Sequence, residues 1–437
     1  MHPVTTLDTY ELYPHQELAA QWLAATTKGG LWDEQGLGKT ATSIAAFDLL
    51  GAEKVLVLAP VVVAHNWARE VARWSPQRKC QVIVSGGMRV DPLASVVITT
   101  HALLLSPRLR AQLLALRWCV VIIDEAHAMK NPSAQRTQHA YTLRPGMPSV
   151  TAQARYVWLL TGTPVPNDPS ELWTHLYALA PERLYMVGTT RPMNWAQFRD
   201  RFCAVEITRY GVRVIGTRNE AELRARMRGF ALRRLKTDHL ALPPVLWGTV
   251  AITGTLGPEL LALETKLRGG VPERDDVEFG TWRRLCGSAK APAASTLLAD
   301  ELAGGAKIVV FAHHTEVLAI LQTRLAAYAP VMITGAQSAL ERSTAVEKFQ
   351  TDPLTRVALC NIVAGGVGIT LTASSQVVFV ESSFVPGENA QAADRVHRIG
   401  QYAETVTVRV LALAGSVDEL VASATARKAA MIRTVIK

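Results

Sequence analysis

The octapeptide Asp33-Glu34-Gln35-Gly36-Leu37-Gly38-Lys39-Thr40 follows the apolar Gly30-Leu31-Trp32 and carries the first recognisable chemistry of the chain. Glycines in a short turn expose backbone N–H groups, and a helix starting near Gly38 would add its positive end, so the two together form an anion cradle. Lys39 would reach the outer phosphates of a nucleotide, and the Thr40 hydroxyl would hold Mg²⁺. The general phosphate-loop pattern has glycine where this chain has Asp33, so a glycine turn followed by an exposed lysine is the competing reading.

A second group lies downstream. Val120-Val121-Ile122-Ile123 runs straight into Asp124-Glu125-Ala126-His127. An apolar strand ending in two carboxylates places them at the C-terminal edge of a sheet, where α/β proteins bind ligands. Asp124 could complete the Mg²⁺ shell, and Glu125 could orient and deprotonate an attacking water. Otherwise the tetrapeptide is a solvated turn. A third group, Gln391 to Gln401, holds Arg395 and Arg398 three residues apart, a spacing that predicts a shared helix face. Two guanidinium groups pointing one way can stabilise a transferring phosphoryl group, and the plain alternative is a solvated basic face. A finger supplied from another lobe would require lobe closure during hydrolysis.

The elements that must position these residues fall into two blocks. Candidate strands in the first are Lys54–Pro60, Val96–Thr100, Trp118–Asp124 and Tyr156–Thr161. In the second they are Lys307–Ala312, Val331–Thr334, Val357–Asn361, Gln376–Glu381 and Thr405–Leu413, separated by helical patterns such as Val317–Tyr328 and Leu340–Phe349. This alternation predicts two doubly wound parallel sheets. A different stretch, roughly 181–305, lies between the blocks, with Pro243-Pro244 as a turn and 269–280 as a polar, Gly-rich run. The expected division is an N-terminal lobe over 1–240, including an Arg-rich helical segment over 181–240, and a C-terminal lobe over 241–437. Residues 418–437 suggest a closing helix.

Composition sets the outer limits. Of 437 residues, 49% are apolar and 19% charged, which excludes a largely disordered chain. No apolar run approaches the roughly 18 residues that span a bilayer. Met1-His2-Pro3-Val4 has no basic start followed by an apolar stretch. A soluble intracellular protein is therefore expected. The nearest pair among Cys80, Cys119, Cys203, Cys286 and Cys360 is 39 positions apart, so no C-x-x-C pair exists and buried free thiols are expected. The formal charge is +9, and between Arg183 and Lys236 there are 13 basic residues against 4 acids. The whole excess thus sits in one segment, which predicts a polyanion partner. Trp67, Trp74 and Trp158 neighbour apolar runs and are expected to pack rather than stack on bases. His313-His314 has no third ligand at metal-binding spacing.

In order and spacing these motifs resemble the Swi/Snf-type ATPases of helicase superfamily two, and most resemble their annealing-helicase, HepA-related branch. The resemblance runs from Leu12 to the C-terminus and implies two RecA-like lobes. Leu12-Tyr13-Pro14-His15-Gln16 resembles the opening motif, so Gln16 would read adenine. Residues Asp33, Glu34, Gln35, Gly36, Leu37, Gly38, Lys39 and Thr40 match that family's own loop, which also has aspartate first. Asp124 to His127 resembles motif II, and Leu160-Thr161-Gly162-Thr163-Pro164 resembles motif III, coupling nucleotide to DNA through His127, Thr161 and Thr163. Leu232 to Asp238 with Leu242-Pro243-Pro244 resembles the lobe-joining signature. Phe311-Ala312-His313-His314 and Val378-Phe379-Val380-Glu381 resemble the annealing branch, and Gln391 to Gln401 resembles motif VI, with Gln391 coupling.

Departures are Pro166-Asn167-Asp168 after motif III, Phe384-Val385-Pro386, and Asn361 to Gly366 at the start of motif V, although Gly366-Val367-Gly368 is kept, with Gly368 toward the nucleotide. They fall on coupling and DNA-contact positions. The resemblance implies ATP and Mg²⁺ as cofactors and a monomeric motor tracking duplex or branched DNA. Contacts would come from Pro60, Thr99, Thr100, His314 and Gly365, with Arg224, Arg226 and Arg228 meeting phosphates. A targeting protein, no membrane, and a bacterial or phage-infected cytoplasm at the nucleoid complete the expectation. The alternatives are a strand-separating DEAH-type helicase on RNA or single-stranded DNA, and a non-catalytic ATP-gated DNA clamp.

Overall fold

The computed structural model describes residues 11–423, apart from 145, 163, 165–168, 187, 209–210, 241, 268–276, 363–368 and 384–385. The chain divides into two compact units, Met1–His239 and Leu240–Lys437. Among the described residues no helix is long and apolar enough to cross a membrane.

The first unit is built on a seven-stranded sheet: β1 Lys28–Leu31, β2 Val55–Ala59, β3 Cys80–Val82, β4 Val96–Thr100, β5 Val120–Asp124, β6 Tyr156–Leu160 and β9 Ala231–Leu232. Its order is β3-β4-β2-β5-β6-β1-β9, and every pairing is parallel. The interior strands β2, β4 and β6 are buried at every residue. A strand covered by helices on both faces needs mostly apolar side chains on both, which is why these are rich in Val, Leu and Ile, with aromatics in β6 and two threonines at the end of β4. Each such side chain stabilises the fold by about 1.5–3 kcal/mol. Helices α1 Pro14–Ala25, α2 Lys39–Leu49 and α3 Val61–Trp74 follow the chain's first segments.

β1 reads Lys-Gly-Gly-Leu, a poor strand former. A Cβ on Gly29 would lie 2.6 Å from the Phe230 carbonyl oxygen, and one on Gly30 would meet the Trp32 ring. Close backbone approach, rather than propensity, sets this strand.

The Arg-rich segment holds helices, as expected, but strands as well. Helix Trp195–Phe202 leads into an antiparallel hairpin, β7 Cys203–Thr208 with β8 Gly211–Thr217, and then helix Glu220–Met227. The β-branched Val205, Ile207, Val212, Val214 and Ile215 favour the pleated ribbon. The segment then returns to the first sheet as β9.

The second unit has β10 Val245–Ile252, β11 Ile308–Ala312, β12 Val331–Ile333, β13 Val357–Asn361, β14 Gln376–Phe379 and β15 Val406–Leu413, in the order β10-β15-β14-β11-β13-β12, again all parallel. Two apolar clusters cover its faces, one around Phe311, Phe349 and Phe379, the other around Leu298, Val310 and Leu321. The five cysteines are free. Residues 417–423 are helical, and the rest of the expected closing helix lies outside the described residues.

Candidate nucleotide site

After β1 the chain turns through Asp33–Gly38 into α2. Gly36 (φ +92°) and Gly38 (φ +81°) take left-handed conformations that favour glycine. At Gly38 a Cβ would also lie 2.0 Å from the Gln16 Nε2, so α1 sits directly on the loop. Gln16 is buried, donates from Nε2 to the Leu37 carbonyl (3.1 Å) and accepts the Tyr13 N–H on Oε1 (2.9 Å). Its amide thus caps its own helix at one end and holds the loop at the other. Lys39 opens α2, and its Nζ donates to the carbonyls of Asp33 (2.7 Å) and Glu34 (3.4 Å). Thr40 follows in the first turn, half-buried.

The two carboxylates stand at the end of β5. Asp124 Oδ2 accepts the Trp67 indole N–H (2.8 Å), and Oδ1 accepts the Glu125 N–H (2.9 Å). Burial first, then the neighbouring Glu125 charge, push Asp124 up to about 6, while Trp67 and Lys39 pull the other way. Burial likewise draws Lys39 below the usual lysine range, opposed by Glu125, Asp33 and Asp124. Glu125 itself is left-handed (φ +47°), a strained conformation for a non-glycine residue and one that turns its side chain out of the strand's alternation. Its Oε2 lies 3.3 Å from His127 Nδ1, which lies 3.3 Å from Thr161 Oγ1. Thr161 in turn donates its N–H to Leu31. Motifs II and III therefore meet through one imidazole. Thr163, expected to share that role, lies outside the described residues.

Asp33 differs from its expected part in holding nucleotide. Its carboxylate is 1% exposed and accepts a forked pair of hydrogen bonds from Arg234. Glu34 is drawn the same way: its N–H donates to the Arg234 carbonyl (3.0 Å) and its Oε2 accepts the Lys236 N–H (2.8 Å). Gln35 is buried against Gly162, where a Cβ would lie 2.5 Å from its Cγ. Sequence reasoning missed Arg234 and Trp67 as parts of this site. The arginine was visible only as charge and joining signature, and nothing near Trp67 in the sequence indicates that its indole holds a carboxylate.

The DNA positions divide. Pro60 stands half-buried at the start of α3. Thr99 is fully buried and Thr100 is 2% exposed, with Thr99 Oγ1 donating to the Ile83 carbonyl and Thr100 Oγ1 accepting the Leu103 N–H. Both hydroxyls close the end of an interior strand, which corrects their expected place at a DNA surface. Trp158 is buried, donating to the Thr26 carbonyl. In the Arg-rich segment Arg224 pairs with Glu220 in an exposed i,i+4 contact, and Arg228 is exposed. Arg226 instead is tucked in, bound to Glu222 and to the carbonyls of Arg183 and Tyr185, so it is a brace rather than a phosphate contact.

In the second unit the helix over motif VI, Pro386–Ala393, ends before either arginine. It carries Gln391, half-buried. Arg395 and Arg398 occupy the turns that follow, and so do not share a helix face. Val396 is fully buried and the Arg395 carbonyl accepts the Leu371 N–H, which pulls the chain out of the helical path. Arg395 is 8% exposed, and Arg398 Nη1 donates to the Ile369 carbonyl (3.1 Å). His314, expected at DNA, is tied to the buried Glu381, which accepts from its Nδ1 (2.7 Å) and from the N–H groups of His313 and His314. Burial works to raise Glu381, yet the His314 contacts and Arg283 hold it below the usual carboxylate range. The two runs singled out at β11 and β14 are thus joined at one carboxylate. Gly365 and Gly368 lie outside the described residues, as do most of the departures noted around them.

Comparison with known proteins agrees with this layout. Residues 15–246 match the SNF2-related domain, and residues 290–400 match the helicase conserved C-terminal domain. The chain is 32% identical over 428 residues to the DNA annealing helicase and endonuclease ZRANB3 of Mus musculus, covering 91% of this chain and 38% of that protein. It is 31% identical over 431 residues to a SWI/SNF-related matrix-associated actin-dependent regulator of chromatin subfamily A-like protein 1 homolog of Caenorhabditis elegans, covering 94% of this chain and 59% of that protein. It therefore spans less than two thirds of either relative. Among solved structures it is similar to the Sulfolobus solfataricus SWI2/SNF2 ATPase core in complex with dsDNA (TM-score 0.46, 22% identity, 99% of this chain and 97% of that one). The tetrapeptide Asp124 to His127 does not make the chain a DEAH-box helicase, because the domain it lies in is matched as SNF2-related. Since that match spans more than half of the chain and takes in every residue of the braced loop, this protein belongs to the SNF2-related family.

Proposed function

We propose that the chain is a DNA-dependent ATPase, a motor that hydrolyses ATP on duplex DNA and remodels branched DNA or protein–DNA complexes. The observation that carries this reading is the convergence of Lys39, Asp124 and Glu125 beside a left-handed glycine turn at the start of α2. Phosphate oxygens would replace the longer Glu34 contact of Lys39, which keeps the Asp33 carbonyl, and would accept from the loop N–H groups. Thr40 and Asp124 would hold Mg²⁺ beside them, where its charge offsets that on the transferring phosphoryl group. The fit is electrostatic: Asp124 and Glu125 share a buried corner with one lysine between them. Among the described residues no three His, Cys, Asp or Glu side chains form a metal cage, so phosphate and water would supply most ligands. Glu125 takes the proton of the attacking water as its oxygen bonds to the terminal phosphorus and the bridging bond breaks, giving ADP and phosphate.

The names of the relatives and the exposed arginines support DNA as the partner. The test compares ATP turnover with duplex, single-stranded, forked and RNA substrates. Many-fold stimulation by duplex or forked DNA is expected, and a rate indifferent to every nucleic acid would sink the proposal.

A pH dependence follows from Asp124. Its folded pKa lies above the ordinary carboxylate value, so it favours the fold when protonated, and that contribution is lost as pH rises through about 6. Binding Mg²⁺ requires the ionised form. The profile of kcat/KM, which reports the free enzyme, is therefore expected to fall as pH drops through about 6. A profile level down to pH ~5 would contradict it.

A further inference from the structure

The ladder between β1 and β9 does not stop at the strand ends. Gly30 donates to Phe230 (2.8 Å), Trp32 to Leu232 (2.8 Å) and Glu34 to Arg234 (3.0 Å), so backbone pairing continues into the phosphate loop. Side chains tighten the same seam. Arg233 Nη1 donates to the carbonyls of Trp32 (2.9 Å) and Gly162 (3.3 Å). Arg234 holds both oxygens of Asp33 and the carbonyl of His15, with its side chain 12% exposed against 1% for Asp33. One arginine thus touches the chain on which Gln16 sits and the first residue of the loop. Asp33 passes the restraint on, since its carbonyl is the shorter of the two contacts to Lys39.

We propose that Arg234 is a positioning residue of the nucleotide site: through the Asp33 carboxylate it sets the phosphate loop and, through the Asp33 carbonyl, Lys39. This deepens the proposed function and rests on it. A forked guanidinium–carboxylate pair fixes two atoms and a plane, which a single contact cannot do. In a buried setting neither charge can be solvated instead, so the pair holds its geometry. It also gives Asp33 a physical reason. The glycine of the general pattern has no side chain to accept this fork, whereas aspartate adds it to the backbone pairing between the loop and β9.

The experiment is a fluorescence titration with mant-ADP, run on the full chain at a temperature where circular dichroism shows each variant folded. Arg234→Ala is expected to weaken mant-ADP binding at least about tenfold, because small misplacements of phosphate-binding groups are costly. Arg234→Lys, which keeps the charge and loses the fork, should fall between the two. Adding Asp33→Gly to Arg234→Ala should cost little more, since both act through one contact. Should Arg234→Ala not fold, Arg234→Lys and Asp33→Asn carry the test. Folded variants that bind mant-ADP within twofold of the parent overturn the proposal, even if their melting temperatures drop, because that is a purely structural brace. Fully additive effects of the two substitutions overturn it as well. A parent chain that fails to bind mant-ADP overturns the nucleotide reading along with it.

Discussion

Replacing Glu125 with glutamine is expected to leave ATP bound and to slow its hydrolysis by about 10²–10⁴-fold, the usual worth of a positioned general base. Glutamine matches glutamate in shape and keeps an acceptor oxygen, so contacts to His127 and the turn persist while the capacity to take a proton is lost. The backbone supports the assignment. Glu125 adopts φ +47° and ψ +53°, where a non-glycine residue costs about 1–3 kcal/mol. In that conformation the carboxylate lies beside His127, whose ring in turn meets Thr161. Phosphate release under saturating ATP and duplex DNA measures the effect, and mant-ATP binding measures retention. Hydrolysis within tenfold of the parent would remove Glu125 from the role.

What could be read from the sequence follows burial. Strands β2, β4, β5 and β6 were legible because they are buried along nearly their whole length and each opens on a run of apolar residues. Strand β10, Val245–Ile252, was not, because it lies at a sheet edge with most residues partly exposed and no unbroken apolar run. The same holds for β3. The site shows the same divide. Gly36, Gly38, Lys39, Asp124 and Glu125 announce themselves by local pattern, since phosphate chemistry dictates residue type at short spacing. Arg234 and Trp67 act across 201 and 57 positions, and no local pattern encodes such a partner. The spacing of Arg395 and Arg398 misled for a related reason. Three residues suit a helix, yet the burial of Val396 and the demand of the Leu371 N–H end that helix at Ala393. Thr99 and Thr100 are polar by composition but spend their hydroxyls inside the fold. Charge alone equally overstated the phosphate contacts, since Arg226 and Arg234 are consumed by the chain itself.

Lys39→Ala is expected to abolish measurable ATP turnover, a loss of at least about 10²–10³-fold, the range for removing one preorganised donor from a catalytic site. Two effects add. The first is the missing charge-assisted contact to the outer phosphates, among the stronger hydrogen bonds a site can offer. The second is what remains: Asp33, Asp124 and Glu125 all act on Lys39, and without it their corner repels an incoming phosphate. Arg234 offsets Asp33 but is spent on that one carboxylate. Binding should therefore fail together with hydrolysis, which separates this variant from Glu125→Gln, where only hydrolysis fails. The fold should survive, because Lys39 makes only two hydrogen bonds to loop carbonyls and α2 is anchored by Ile44, Ala46 and Phe47 in the core. Mant-ADP titration beside a thermal melt distinguishes the outcomes. A Lys39→Ala chain that melts normally and still binds mant-ADP with parental affinity would show that the loop, and not its lysine, holds the nucleotide.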